Sequence, residues 1–321
     1  KLALLTALLG CALASKMTLE EMKARLGTKL DGQHTSTDHG HFEAPADLDT
    51  ATIPTRFNSA TNWPECSTTI MDIKNQAQCG SCWAVAASEV FEERWCIACN
   101  VPKGSNGKKN KIWFAAEYLL SCCSYCGDGC EGGYPIDAHR WFQYKGIPTG
   151  GPYGSGCGCQ TYKVKPGAPD TGRTPRCSQK CDSGYPISLA ADLHKSRDHF
   201  TIGGNEASIQ AAIMKGGPVE CAFSVYRNFY SFFDSTPNGV YNQASGDLLG
   251  GHAITIIGWD VDSNGQKYWI IKNSWGTNWG NGGTFKFLRG TNLCGMEAQC
   301  VASDPKCGNS NAYSNEYFCR K

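Results

Sequence analysis

The chain has 321 residues, with 30 lysines and arginines against 29 aspartates and glutamates and a formal net charge of +1. That balance excludes a nucleic-acid binder, which needs a concentrated basic excess to meet phosphates. With 41% hydrophobic and 11% aromatic residues the chain is not disordered and can bury a large core in one domain or two lobes. Nineteen cysteines point to an oxidising compartment, and 37 glycines to many turns and close backbone approaches.

Lys1 precedes the apolar run LALLTALLGCALA, residues 2–14. It is too short to span a bilayer and reads as a secretory signal, residues 1–14, with Ala12-Leu13-Ala14 as the cleavage site. A lipoprotein signal using Cys11 and a buried helix are the alternatives. No later apolar run is long enough to cross a membrane, so no membrane partner is expected. Residues 15–52 lack cysteine. They open with a short amphipathic helix, Thr18 to Leu26, capped by Thr18. A polar stretch carrying His34, His39 and His41 follows. The segment reads as a detachable arm over a body beginning near Ile53-Pro54. Protonation of the three histidines on acidification would loosen it, with a solvated linker as the alternative.

Ser81 to Trp95 reads as a helix capped by Ser81, apolar in its first turns and charged later, whose N-terminal end enters a core. The basic loop Lys103–Lys111 reads as solvated, and residues 113–123 as a second helix. From 122 to 184 eight cysteines and little periodicity suggest loops stapled by disulfides. After Pro218, VECAFSVY, HAITIIGWD, KYWIIKN and TFKFLRG read as strands. A helical, stapled first half therefore meets a β second half.

One constellation carries chemistry. Cys82 stands in the first turn of a helix, where the N-terminal partial charge favours the thiolate. His252, after Gly250-Gly251 at a strand start, is the candidate base, and those glycines admit a close backbone. Asn273 can accept the imidazole N–H without adding charge, and Trp275 can shield that bond from water. Gln76 and the backbone N–H of Cys82 can donate to an oxyanion; losing one such donor typically costs about a hundred- to a thousand-fold in rate. Taken singly, each residue has a structural reading; the combination does not.

Cys79-Gly80-Ser81-Cys82-Trp83, Gly251-His252-Ala253 and Asn273-Ser274-Trp275-Gly276, in the order Cys, His, Asn, resemble the motifs of the papain-like cysteine peptidases over residues 53–303. The Cys82–His252 separation is longer than usual for the family, implying an insertion. Cys122-Cys123, Cys126-Gly127-Asp128-Gly129-Cys130-Glu131-Gly132-Gly133-Tyr134-Pro135, Gly217-Pro218-Val219-Glu220 and Phe223-Ser224-Val225-Tyr226 are similar to the cathepsin B branch. The resemblance implies an α+β, two-lobed fold: a helical, disulfide-rich left lobe (about 53–185), a β-barrel-like right lobe (about 186–303) and the active site in the cleft between them. Residues 304–321 would then be a C-terminal extension. The implied activity is that of a cysteine endopeptidase acting through Cys82, His252, Asn273 and Gln76. The implied disulfides are Cys79–Cys130, Cys66–Cys96, Cys123–Cys126, Cys122–Cys177, and Cys181 with Cys159 or Cys157. Gly132 and Gly133 would pair with an extended substrate backbone. Tyr134, Pro135, Ala222 and Ala253 would line the pocket for the second residue before the cut.

The implied partners are protein or peptide substrates, the chain's own propeptide (residues 15–52, removed near 49–53) and cystatin-type inhibitors. The chain is expected to act as a monomer without metal or cofactor, in a lysosome, a digestive vacuole or outside the cell. Met22 to Thr28 resembles the part of the cathepsin B propeptide that crosses the cleft, so an inhibitory strand of reversed direction is expected.

Three departures modify this reading. Cys159 to Cys177 is shorter than the cathepsin B occluding loop, has no histidine and lacks the internal cysteine pair, while Asn75 and Asn278 stand where acids tether that loop. Little dipeptidyl carboxypeptidase activity is therefore expected, with Lys163, Lys165 and Arg173 as the candidate cations for a C-terminal carboxylate. Gln299 stands at the base of the specificity pocket where the family has a glutamate, which predicts apolar preference unless Glu297 substitutes. The additional cysteines are Cys99, Cys157, Cys221, Cys300, Cys307 and Cys319; pairs Cys221–Cys300 and Cys307–Cys319 are expected. The rival readings are a zinc module using Cys79-x-x-Cys82 and Cys96-x-x-Cys99 and a non-catalytic family member acting as a binding protein. A thioredoxin-like protein lacks the required βαβ context.

Overall fold

The computed structural model describes residues 17–30, 38–168 and 172–308; the signal segment, His34 and Cys319 lie outside them. The chain runs α1 (Leu19–Lys23), β1 (Gly40–Phe42), β2 (Phe57–Asn58), α2 (Ser59–Asn62), α3 (Ser67–Ile70), α4 (Cys82–Ala98), α5 (Ala116–Cys122) and α6 (Pro135–Tyr144). It continues through β3 (Phe200–Ile202), α7 (Glu206–Gly216), β4 (Val219–Tyr226), α8 (Arg227–Ser235), β5 (Val240–Tyr241), β6 (Leu248–Val261), β7 (Lys267–Lys272), β8 (Thr284–Leu288) and β9 (Cys300–Ala302).

The four apolar runs after Pro218 become β4, β6, β7 and β8, the centre of a sheet ordered β1-β3-β9-β4-β6-β7-β8-β5, with β2 added antiparallel to β6. Side chains alternate across β8, so Phe285 and Phe287 point into the core that also holds Phe223, Trp259 and Trp269. The antiparallel β4–β6 register sets Ala222 opposite Ala253 and Phe223 opposite His252. A second core gathers Trp83, Phe91, Trp95, Phe114 and Phe142 around α4. Helix α4 runs between the two cores, with Cys82 and Ala86 packed on Ala253. The architecture is thus α+β, with the two cores on either side of α4 that the resemblance leads one to expect.

The charged later turns of α4 are also interior: Glu89, Glu92, Glu93 and Arg94 are all buried. A buried charge needs a partner. Lys272 lies 2.6 Å from Glu93, Lys74 2.9 Å from Glu92, and Arg94 2.7 Å from Asp304. These pairs tie the helix to β7, to the loop before it and to the chain after β9.

Several local expectations are corrected. Ser81 occupies the N-cap position of α4 without a capping bond; its hydroxyl meets Tyr162 instead. The second helix starts at Ala116, not 113. The cysteine-rich block contains α6, started by Pro135 at its first turn, where the missing N–H costs nothing. Helices α7 and α8 also lie outside the helical first half. Lys109 in the basic loop is buried, donating to the carbonyls of Cys96 and Cys99, while Lys103 and Lys111 pair with Glu65 and Asp72.

Disulfides join Cys66–Cys96, Cys79–Cys130, Cys122–Cys177, Cys123–Cys126, Cys159–Cys181 and Cys221–Cys300. Cys307 bonds Cys99 rather than Cys319, so the end of the described chain is stapled back to the C-terminus of α4. With Cys79, Cys96 and Cys99 all in disulfides, the two Cys-x-x-Cys pairs cannot serve as a zinc site. Cys82 and Cys294 are the free cysteines among the described residues.

Candidate active site

Cys82 starts α4 and is fully buried. The turn before it is held rigidly: Cys79 is bonded to Cys130, and Gly80 N donates to Cys130 O at 2.9 Å. A Cβ on Gly80 would sit 2.4 Å from that oxygen, so only glycine fits. Gln76 is fixed at both ends of its amide. Its Oε1 accepts from Ser274 Oγ (2.6 Å), and its Nε2 donates to Cys79 O (2.7 Å).

Across the cleft, His252 Nε2 lies 2.8 Å from Asn273 Oδ1. That oxygen also accepts from Ser274 N, so the amide orientation is set and the ring must carry its proton on Nε2. Nδ1 is then left bare; it is buried and without a hydrogen-bond partner. The Trp275 ring lies 4.7 Å from the imidazole, centroid to centroid, and shields the pair from water. Ala253, next to His252, packs on Cys82. A thiol, a bare ring nitrogen on a neighbouring residue and a neutral orienting amide constitute the parts of a nucleophile–base pair.

The chain's own arm occupies this cleft. Helix α1 begins with a capping box in which Thr18 Oγ1 accepts from Glu21 N and the Glu21 carboxylate accepts from Thr18 N. Met22 from this helix is buried in the β-side core. The chain then extends: Gly133 N donates to Gly27 O (2.8 Å), Lys29 N to Gly133 O (3.0 Å) and Thr28 N to Gly251 O (3.1 Å). Thr28 pairs in parallel with Gly133. Gln76 Nε2 also donates to Arg25 O (2.8 Å), and Thr28 Oγ1 stands 3.1 Å from Cys82 Sγ. A Cβ on Gly132 would meet Gly27 O at 2.4 Å, and one on Gly251 would meet Thr28 O at 2.1 Å. The glycines of both walls are therefore the space through which the arm passes.

This burial reverses one expectation. The helix N-terminus favours a thiolate at Cys82, yet with the arm seated the loss of water pushes the thiol above its ordinary value despite the Thr28 contact. Burial likewise pushes His252 down to about 4. Both members of the pair are held neutral.

A family description, "Papain family cysteine protease", matches residues 53–303. The chain belongs to the papain family of cysteine proteases. It is 44% identical to a gut-specific cysteine proteinase of Caenorhabditis elegans over 296 residues, 91% of this chain and 85% of that protein. It is 42% identical to cathepsin B-like cysteine proteinase 4 of the same organism, over 90% of this chain and 86% of that protein. Its structure resembles procathepsin B S9 from Trypanosoma congolense with a TM-score of 0.74 and 30% identity, covering 90% and 89% of the two chains. The chain is thus a cathepsin B-like member of this papain family.

Of the residues expected to line the substrate pocket, Ala222 and Ala253 stand opposite each other on β4 and β6, and Ala253 packs on Cys82. Gly132 and Gly133 face the arm as described, and Tyr134 and Pro135 lead into α6. Gln299 is half-buried, its carbonyl accepting from Ala222 N at 3.0 Å, which sets it beside Ala222 and Ala253. Glu297 is unavailable to the pocket. Its carboxylate accepts from Trp269 Nε1 and from the backbone of Gly290 and Asn292. Asn75 turns back on its own loop, accepting from Ala77 N. His41 Nε2 lies 2.9 Å from Glu43 within the arm, and its Nδ1 lies 2.7 Å from Thr201 Oγ1 of β3. Sequence reasoning missed Ser274 as the anchor of Gln76 and Tyr162 as a partner of the turn before Cys82; neither carries a local pattern that announces such a contact.

Proposed function

We propose that the chain is a cysteine endopeptidase made as an inactive precursor. Cys82 Sγ attacks the scissile carbonyl carbon as its proton passes to His252 Nδ1. Gln76 Nε2 and the Cys82 N–H stabilise the oxyanion. The C–N bond breaks as His252 returns the proton to the leaving amine. Water, deprotonated by His252, then cleaves the thioester and regenerates the thiol. Asn273 holds the imidazole throughout. The observation that carries this reading is an unpaired cysteine at a helix start, packed on Ala253, whose chain neighbour His252 has one ring nitrogen bonded to a neutral amide and the other bare. Activity on a peptide substrate should disappear with Cys82→Ala and fall at least a hundredfold with Asn273→Ala; an active Cys82→Ala enzyme would refute the mechanism.

Residues 15–52 act as the inhibitory propeptide. The parallel pairing of Thr28 with Gly133 supports a strand laid opposite to the substrate direction, and exposed Asp49 to Thr52 offers a cut near the start of the body. The segment after Cys159 has no histidine to hold a substrate's C-terminal carboxylate; of its cations Lys163 is paired with Asp182, and Lys165, Arg173 and Arg176 are exposed side chains. The enzyme therefore cuts within chains. Amidating a substrate's C-terminus should leave cleavage unchanged; stepwise release of dipeptides only from the free acid would overturn this assignment. Gln299 in the specificity pocket favours apolar side chains over arginine. The seven disulfides named above support an oxidising route through the secretory pathway for the proenzyme. No helix among the described residues is long and apolar enough to cross a membrane.

A further inference from the structure

The segment following Cys159 does not overhang the cleft at Tyr162; it passes beneath the turn that carries the nucleophile. Tyr162 is 6% exposed, and its hydroxyl donates to Gln76 O at 2.9 Å. Having spent its proton there, it can only accept from Ser81 Oγ, 2.7 Å away. One phenol thus bonds both to the residue bearing the oxyanion donor and to the residue preceding Cys82. Burial pushes this phenol above its ordinary value, so it stays protonated through the acidic and neutral range.

The segment is fastened from its other side as well. Cys159 is bonded to Cys181. Thr161 N and Oγ1 both donate to Asp182 Oδ2, at 2.9 and 2.8 Å, and Lys163 pairs with the same carboxylate. Lys163 N donates to Glu117 Oε2 at 2.9 Å, and Gln160 Nε2 donates to the carbonyls of Ser178 and Lys180. A side chain whose backbone is pinned at both flanks transmits that rigidity to what it touches. The Gln76 side-chain amide is itself held by Ser274 Oγ across the cleft and by the carbonyls of Cys79 and, in the arm, Arg25.

We infer that Tyr162 is a positioning residue for the oxyanion site, a strut that fixes the Gln76 peptide and the Ser81–Cys82 junction from below. The inference rests on the reading of Gln76 as oxyanion donor. Removing the hydroxyl leaves two buried polar groups unpaired and lets the Gln76 turn drift. A misplacement of this kind costs on the order of tenfold or more in rate.

The test compares the processed wild-type enzyme with Tyr162→Phe and Gln76→Ala. Three quantities are read: kcat and KM for a peptide substrate, the affinity for a peptide aldehyde, whose thiol adduct carries the same oxyanion, and the rate of Cys82 alkylation by iodoacetamide, which needs no oxyanion donor. Tyr162→Phe should lower kcat about tenfold with KM within twofold, weaken the aldehyde in proportion, and leave alkylation within twofold. Asp182→Asn, which loosens the segment without touching the turn, should move the same quantities in the same direction by a smaller factor, and it keeps the test open if Tyr162→Phe does not fold. Loss of aldehyde affinity in Gln76→Ala with none in either segment variant overturns the strut and leaves the donor reading standing. No loss in Gln76→Ala overturns both. Equal losses in alkylation and turnover would show a general structural defect and also overturn the strut.

Discussion

Replacing Gly27 by alanine should unseat the arm. An added Cβ would lie 1.8 Å from Gly80 O, 2.4 Å from Gly80 C and 2.6 Å from Gly80 Cα. All three atoms are backbone, in a turn fixed by the Cys79–Cys130 disulfide, so the arm must lift by more than an ångström. Lifting it breaks Gly133 N to Gly27 O, Lys29 N to Gly133 O, Thr28 N to Gly251 O and Gln76 Nε2 to Arg25 O, since all four flank that point. At about 1 kcal/mol net for each bond, the loss is about 4 kcal/mol, or nearly a thousand-fold in affinity. A synthetic peptide of residues 15–52 carrying Gly27→Ala should therefore inhibit the processed enzyme at least a hundredfold more weakly than the parent peptide, while Lys23→Ala, altering a surface side chain, should change inhibition less than threefold. Equal inhibition by the Gly27→Ala peptide would mean that the arm does not enter the cleft by the route described.

Two further outcomes follow from buried groups. Glu117 is 3% exposed, and burial pushes its carboxyl up to about 7 from an ordinary 4.5. The folded state then holds a proton that the unfolded chain releases over that window, so this group's contribution to stability is full below 4.5 and is lost as the pH rises to 7. The loss is at most about 3 kcal/mol. Denaturant titrations should show stability declining from pH 5 to 7, with Glu117→Gln flattening the decline; an unchanged slope would remove Glu117 as its source. Gln299→Glu should raise kcat/KM for arginine at the second position before the cut at least tenfold relative to phenylalanine there, by restoring a charge-assisted pair. A ratio that does not move would place the floor of that pocket elsewhere.

The sequence was most legible where local pattern and tertiary role coincide. The β-branched and aromatic runs VECAFSVY, HAITIIGWD, KYWIIKN and TFKFLRG became β4, β6, β7 and β8, because each is a short apolar run bounded by turn residues. The start of α4 was legible for a similar reason. Its later turns were not: Glu89, Glu92, Glu93 and Arg94 look solvated until Lys74, Lys272 and Asp304, remote in the chain, are seen to neutralise them. Helix α8, RNFYSFFDS, is rich in aromatics that carry no helical preference, and it forms because Phe229 and Phe233, four residues apart, both reach the β-side core. The Cys99–Cys307 bond spans 208 residues, a separation over which nothing local specifies a partner. At the site, Cys82, His252 and Asn273 could be put forward from motifs, and Gln76 from the donor that an oxyanion requires. Tyr162 and Ser274 could not, because their importance lies in which carbonyl or amide each hydroxyl reaches.

The central claim is that Cys82, activated by His252, is the nucleophile. It is tested most directly by reacting the processed enzyme with a peptidyl epoxide and locating the adduct by mass spectrometry. One equivalent should attach to Cys82, activity should fall in step with labelling, Cys294 should remain unmodified, and His252→Ala should slow the reaction at least a hundredfold. Labelling at Cys294 with loss of activity, or a rate indifferent to His252, would contradict the account.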